Sequence, residues 1–195
     1  MSGKDGRNPE AYRTVYCQTL HYLLELLDPA FTVFTSSTSV YPQNDATEVD
    51  ESSPTGGTPT GDILLEAEQL AIQAGGAAVR LGGIYGPDRA RFIEAARAGQ
   101  PLPFGATDAF INLIHRDDAA RALFHVGSRR LSGLFNAVDD HPSRRDDLAE
   151  SIRRGTISPA RPSEGSTGKR VRNRKLRNTG WTPQFPSILE ALPSL

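Results

Sequence analysis

Apolar residues recur at helical spacing near the start of the chain: Tyr12, Val15, Tyr16, Leu20, Leu23, Leu24 and Leu27 form one stripe. Asn8-Pro9-Glu10 supplies a cap followed by proline at the first helical position, so the pattern predicts a helix over 9–27. After Asp28-Pro29 an apolar and β-branched run, FTVFT, predicts a strand over 31–35. That strand ends abruptly in the hydroxyls SSTS at 36–39, then Val40, Tyr41 and Pro42. A loop from Tyr41 to Pro59 follows, rich in Ser, Thr, Gly, Pro and acid, and its length suggests a functional role. GDILLEAEQLAIQA predicts a helix over 61–74, stopped by Gly75-Gly76. AAVRLGG reads as a strand that ends in IYGP, which repeats the design of strand and turn. Residues 90–98 read as helical. FINLIH reads as a short strand running into Asp117-Asp118, which is expected to cap the helix AARALFHV. LFNAV at 134–138 is a further strand, SRRDDLAESIRR a further helix, and Gly155 to Thr167 an irregular stretch. Strands alternating with helices predict an α/β fold with a mostly parallel sheet. In such sheets ligands bind beyond the carboxyl ends of the strands, which is where the hydroxyls of residues 36–39 fall.

Composition narrows the class without naming a chemistry. At 195 residues, 37% apolar and 23% charged, the chain has the length of one domain with a real core. No apolar run approaches the ~20 residues that cross a bilayer, so no membrane partner is expected. The start, MSGKDGRNPE, lacks the apolar centre of a secretory signal, and the cytoplasm is the expected compartment. The net charge of -1 gives no pull toward nucleic acid or anionic lipid. The single Cys17 cannot form an internal disulfide and is expected to pack as a small apolar residue.

Six segments taken in order resemble a known family. SSTSVYP, VDESSPTGG, LEAEQL, VRLGGIYGP, NLIHRDDAARAL and KLRNTGWTPQFPS occur as they do in extended short-chain dehydrogenases/reductases, the NAD-dependent epimerase/dehydratase group. SSTSVY, LLEAEQ and RLGGIYGP look most like its atypical members, similar to bacterial YeeZ proteins. The resemblance covers about residues 5–195. It implies a Rossmann-like domain that holds NAD or NADP and a smaller carboxy-terminal lobe that holds a small-molecule substrate, often a nucleotide sugar. On this chain it implies one incomplete domain, with the sheet over about 8–82 and 110–138 and the substrate lobe over about 83–109 and 139–195. It places Ser37 on the family serine that hydrogen-bonds the reacting oxygen. Ser36, Ser37, Ile84, Tyr85 and Gly86 fall on the cofactor side, and Thr38, Tyr85 and Arg172 on the substrate side. No metal is implied.

Two departures from the family decide what to expect of this chain. Family members pair a tyrosine acid/base with a lysine four residues later, because a phenol with a pKa of about 10 is a poor base without a nearby cation. Anchored on Glu68-Gln69, those positions are Thr60 and Leu64; counted ungapped from Tyr41, they are Asp62 and Glu66. Neither register supplies the pair, no Tyr-x-x-x-Lys occurs anywhere, and the usual redox mechanism is not expected. Family members also open with a strand, a glycine-rich turn and a helix that receives the pyrophosphate. Here only eight polar residues precede the helix at 9–27, so the amino-terminal half of the Rossmann domain is expected to be missing and binding of NAD(P) by this chain alone is not expected. Its loss would open an apolar edge along FTVFT, which invites self-association and weak stability. A non-catalytic binding or regulatory protein, or an inactive fragment, is the alternative.

Other features have plainer readings. Arg80, a charge in an apolar strand, calls for a structural ion pair, with a substrate contact as the lesser reading. Thr38 and Ser39 read as loop hydrogen-bonders, and Tyr41 as packed on the sheet. Ser37 taken alone is equally a turn hydroxyl. His115 with Asp117 and Asp118 reads as a strand end before a capped helix, since one His and two adjacent acids are no metal spacing. The basic run from Lys169 to Arg177 reads as a solvated face, with phosphate binding as the lesser reading. Trp181, Pro183 and Pro186 are expected to anchor the tail.

Overall fold

The computed structural model describes residues 8–100, 108–155 and 165–194. The polar opening MSGKDGR and most of the irregular stretch 155–167 lie outside the described residues. In chain order the elements are α1 (Pro9–Arg13), a π-helical turn (Thr14–Gln18), α2 (Thr19–Leu27), β1 (Val33–Ser37), a 3₁₀ turn (Thr38–Val40), β2 (Glu48–Val49), α3 (Pro59–Gln73), β3 (Ala77–Leu81) and β4 (Gly83–Tyr85). They continue with α4 (Arg91–Arg97), β5 (Ala109–Ile111), β6 (Leu113–His115), α5 (Arg116–Ser128), β7 (Gly133–Ala137), β8 (Ser143–Arg144) and α6 (Arg145–Arg154). The last are β9 (Thr167–Gly168), β10 (Arg170–Val171), α7 (Arg174–Arg177), α8 (Ile188–Ala191) and a closing 3₁₀ turn. Two compact units result, one of Met1–Pro42, Ser53–Arg80 and Leu123–Phe135, the other of Gln43–Ser52, Leu81–Ala122 and Asn136–Leu195.

The first unit is a three-stranded sheet in the order β1-β3-β7 with helices on both faces. Ala77 N donates to Thr32 O and Gly133 N to Gly76 O, so the strands enter side by side and run parallel. β3 is buried at every position, as a central strand covered on both faces must be. On β1 the period of two separates the faces: Phe34 meets the Tyr16 ring edge-on, while Val33 lies beside Gly127 of α5. α3 starts where Thr58 accepts from Gly61 N with Pro59 at the first turn, and it buries Ile63, Leu64, Ala67, Glu68 and Ala71 at helical spacing. The glycines that stop it have a second duty. A Cβ on Gly76 would lie 2.3 Å from Thr32 O, so only glycine lets β3 start against β1.

The predicted helix over 9–27 is one continuous helical run, interrupted by the π turn, where Thr19 Oγ1 donates back to Thr14 O at 2.9 Å. Its apolar stripe is only partly used. Cys17 is buried and donates to Ile63 O, whereas Tyr22, Leu23, Leu26 and Leu27 are exposed, as is Phe124 on α5. β1 begins two residues later than FTVFT suggests and takes in Ser36 and Ser37, so the first hydroxyls belong to the strand. Among the described residues β1 is an edge strand.

The second unit holds three small sheets. β4 and β6 pair in parallel, with Tyr85 opposite His115. β5 lies between β8, antiparallel, and β9, parallel, and β2 pairs with β10 in parallel. Its core joins Tyr85, Ile93, Leu148, Ile152 and Ile188, so α4, α6 and α8 close over one cluster. FINLIH is not one strand. It divides at Asn112, whose side-chain amide donates to Lys169 O (2.9 Å) and accepts from Val171 N (2.7 Å), as a strand partner would. Asp118 does not cap α5 either: it lies in the first turn, and its carboxylate accepts from Gln184 N (2.7 Å) and Phe185 N (2.8 Å). Trp181, beside this tether, is buried.

Candidate functional site

In the first unit the carboxyl end of β1 is a loop of hydroxyls. Ser37 is half-buried, and its Oγ accepts from Ser39 N at 3.1 Å, capping the 3₁₀ turn Thr38–Val40. Ser37 thus serves as a turn hydroxyl while its own proton can still be donated outward. Thr38 is buried, and Tyr41 N closes the turn by donating to Thr38 O. Ser36 points to the opposite face and donates to Glu68 Oε1 at 2.5 Å. Its hydroxyl is committed inside the protein, so only its backbone is left for a ligand.

Glu68 also takes Arg80. Arg80 Nε donates to Oε1 (2.8 Å) and Nη2 to Oε2 (2.6 Å), a bidentate pair with both side chains 4% exposed. The ion pair expected for Arg80 is therefore present. Burial would lower the Arg80 pKa, but the bonds and charge of Glu68 outweigh it, so the guanidinium titrates above its ordinary value and stays charged. Its central carbon sits 4.8 Å from the centre of the Tyr41 ring.

α3 carries both candidate registers for the tyrosine and lysine. Thr60, Leu64 and Glu68 share one stripe at intervals of four, with Thr60 half-buried and Leu64 buried. In the other register Asp62 Oδ1 accepts from Gly57 N at 3.1 Å, and Glu66 pairs with Arg13 at 2.5 Å. Asp62 and Glu66 are thus engaged in holding the end and face of the helix. None offers a phenol, and none offers a cation.

In the second unit the IYGP turn follows β4. Ile84 is half-buried, and Gly86 has φ +146°, a conformation open to glycine; a Cβ there would meet Arg116 Cβ at 3.1 Å and His115 Nε2 at 3.3 Å. Arg116 Nη1 donates to Pro87 O and braces the turn. Tyr85 is 3% exposed, and its ring meets that of His115 at 76° with centroids 5.4 Å apart. Burial raises the Tyr85 pKa far above that of a free phenol, and the nearby carboxyls of Asp139, Asp118 and Glu190 add to the rise. This phenol stays protonated and cannot act as a base. His115 accepts from Asp117 N through Nδ1 and packs on Phe185.

Three arginines of the basic run are paired with acids. Arg172 and Arg170 both pair with Glu48, and Arg177 bonds Asp140 at 2.6 Å. These arginines hold β10 and α7 in place before they offer charge to a ligand, and the Arg172 bond is the main reason that the Glu48 pKa is lowered. Among the described residues no group of three or more His, Cys, Asp or Glu could hold a metal ion. No helix among them is long and apolar enough to cross a membrane.

No family model and no curated protein matches the chain. Solved structures do. A protein assigned as an NAD-dependent epimerase/dehydratase from Methylobacillus flagellatus superposes with a TM-score of 0.80 at 28% identity, over 95% of this chain and 71% of its own. The chain has a Rossmann-like epimerase/dehydratase fold. Human epimerase family protein SDR39U1 with NADPH (TM-score 0.78, 20% identity) matches 98% of this chain and 78% of its own. UDP-glucuronic acid 4-epimerase from Bacillus cereus with NAD (TM-score 0.73, 20% identity) matches 98% and 68%. At that identity the last two show the fold alone. The sequence contains no G-x-G-x-x-G after a strand, and α3 carries neither a tyrosine nor a lysine.

Two signals could have found Glu68 from sequence. It falls on the buried stripe of α3, and Arg80 falls in an apolar strand, so each charge calls for the other. The link from Glu68 to Ser36 has no such signal.

Proposed function

We propose that this chain is the substrate-side portion of a protein of the NAD-dependent epimerase/dehydratase type, in the YeeZ-like atypical subgroup. The observation that carries this reading is the likeness to the Methylobacillus flagellatus protein over 95% of the chain at 28% identity. NAD or NADP and a nucleotide-sugar-type ligand are then bound by a longer parent, and this chain alone does not hold the dinucleotide. In the first unit Ser37 and Thr38 offer hydroxyls to a ligand and Ser36 its backbone. In the second, Ile84, Tyr85 and Gly86 offer backbone, and Arg172 a charge already shared with Glu48.

Redox chemistry is not carried by the chain. Thr60 has no acidic proton, Leu64 no charge, and Asp62 and Glu66 are held by Gly57 and Arg13. A non-catalytic binding or regulatory role is favoured by these same occupied positions. The open edge of β1, with Tyr22, Leu23, Leu26 and Leu27 exposed on the helix leading into it, is the surface proposed for self-association.

Titration of the chain with NADPH, followed by nicotinamide fluorescence, tests the reading. No saturable binding is expected below about 1 mM. Binding in the micromolar range would overturn the claim that this chain alone cannot hold the dinucleotide.

A further inference from the structure

We propose that Glu68, through Arg80, is a positioning residue that pins the hydroxyl turn of residues 37–40 at both ends. One buried ion pair touches the chain immediately before and immediately after that turn. On the entry side Glu68 Oε1 accepts the Ser36 hydroxyl at 2.5 Å. On the exit side the Arg80 guanidinium lies 4.8 Å from the centre of the Tyr41 ring, which is 1% exposed. Within the turn Ser39 N donates to Ser37 Oγ at 3.1 Å and Tyr41 N to Thr38 O at 3.3 Å, and from outside Gly56 N donates to Val40 O at 2.9 Å. So short a 3₁₀ turn has little rigidity of its own. Its geometry is set by where its two ends are held.

Stability does not account for the pair. Removing two charges from water costs as much as a well-made buried ion pair returns, and apolar residues of similar volume serve as well or better. What apolar residues cannot do is accept a hydroxyl and place a cation over a ring at the same time. Glu68 sits on the α3 stripe four residues after Leu64 and eight after Thr60, so a helix position is used to orient the serine strand. The consequence is that the direction of the Ser37 hydroxyl is decided from beneath the sheet. That Ser37 presents this hydroxyl to a ligand rests on the reading in the preceding subsection; the pinning of the turn does not.

Amide hydrogen exchange on the cofactor-free chain separates the two. In Ser36→Ala the ion pair stays and only its hold on β1 is lost. Exchange at Ser39 and Tyr41 is expected to accelerate about tenfold or more relative to Val79 in the centre of β3, the loss appropriate to one hydrogen bond to a charged group. Ser36→Thr, which keeps the hydroxyl, is expected to restore protection. The double variant Glu68→Met with Arg80→Met is expected to keep cooperative unfolding yet show the same selective loss. If Ser39 and Tyr41 change by the same factor as Val79, or do not change in Ser36→Ala, the proposal is wrong. Should the double variant not fold, Ser36→Ala decides alone. NADPH binding by the chain would refute the function proposed above and leave this result standing.

Discussion

Asp118 gives the most direct quantitative test of how the second unit is held together. Its side chain is fully buried in the first turn of α5, where the exposed N–H groups of the helix favour a negative charge. One oxygen accepts from Gln184 N at 2.7 Å, the other from Phe185 N at 2.8 Å, and Arg121 Nε approaches the first at 3.7 Å. Asp118→Asn keeps the volume but replaces one acceptor by an NH₂ that faces a backbone N–H. One charge-assisted hydrogen bond disappears, worth about 1.5–3 kcal/mol, and a buried donor is left without an acceptor at about 1–3 kcal/mol. The two costs overlap, so a net loss of about 3 kcal/mol is expected. For a chain of this size 1 kcal/mol corresponds to about 2–4 °C, which puts the fall in Tm at roughly 6–12 °C. Urea denaturation followed by circular dichroism gives the free energy, and exchange at Gln184 and Phe185 shows whether the tail is what loosens. Asp118→Ala, which strands both N–H groups, should cost more than Asp118→Asn. A change below about 0.5 kcal/mol in Asp118→Asn would refute the tether, because that is the range of an ordinary surface substitution.

Two further outcomes follow from particular side chains. Burial raises the Asp139 pKa well above the ordinary carboxyl value, against the opposing bond from His141 N. A raised carboxyl favours the protonated folded state, so its contribution is full below the unfolded value of about 4 and is lost as pH rises through the folded one. Asp139→Asn should therefore stabilise the chain at pH 7–8 and leave it unchanged near pH 4 in thermal melts; an equal effect at both would rule out the titration. If the β1 edge and its apolar helix drive association, Leu26→Lys with Leu27→Lys should lower the average mass in sedimentation at equal concentration. These side chains are 61% and 63% exposed, so the substitutions carry little cost in the monomer. An unchanged mass would remove that surface from consideration.

The parts of this protein legible in sequence are those fixed by local periodicity. Apolar spacing and the stop at Gly75-Gly76 place α3 within two residues of its observed bounds, and a run of small and branched residues marks β3 as a covered strand. The same pattern shows that Arg80 must have a partner, since a charge inside such a strand is costly alone. The parallel α/β class follows from the alternation of these elements. Where a side chain bonds a residue far along the chain, the local pattern carries no trace of it. FINLIH reads as one strand because nothing in six residues reveals that Asn112 will serve Lys169 and Val171 from 57 and 59 positions away. Asp118 looks like a cap because an acid before an apolar helix usually is one, yet here the tail supplies the N–H donors. Ser36 and Ser37 look alike in sequence, and the pleat alone turns one toward Glu68 and leaves the other to cap its own turn. Sequence determined which segments form and which charges need company. Tertiary structure chose the company, because a buried polar group is satisfied by whichever partner the packing brings within about 3 Å, however distant in the chain.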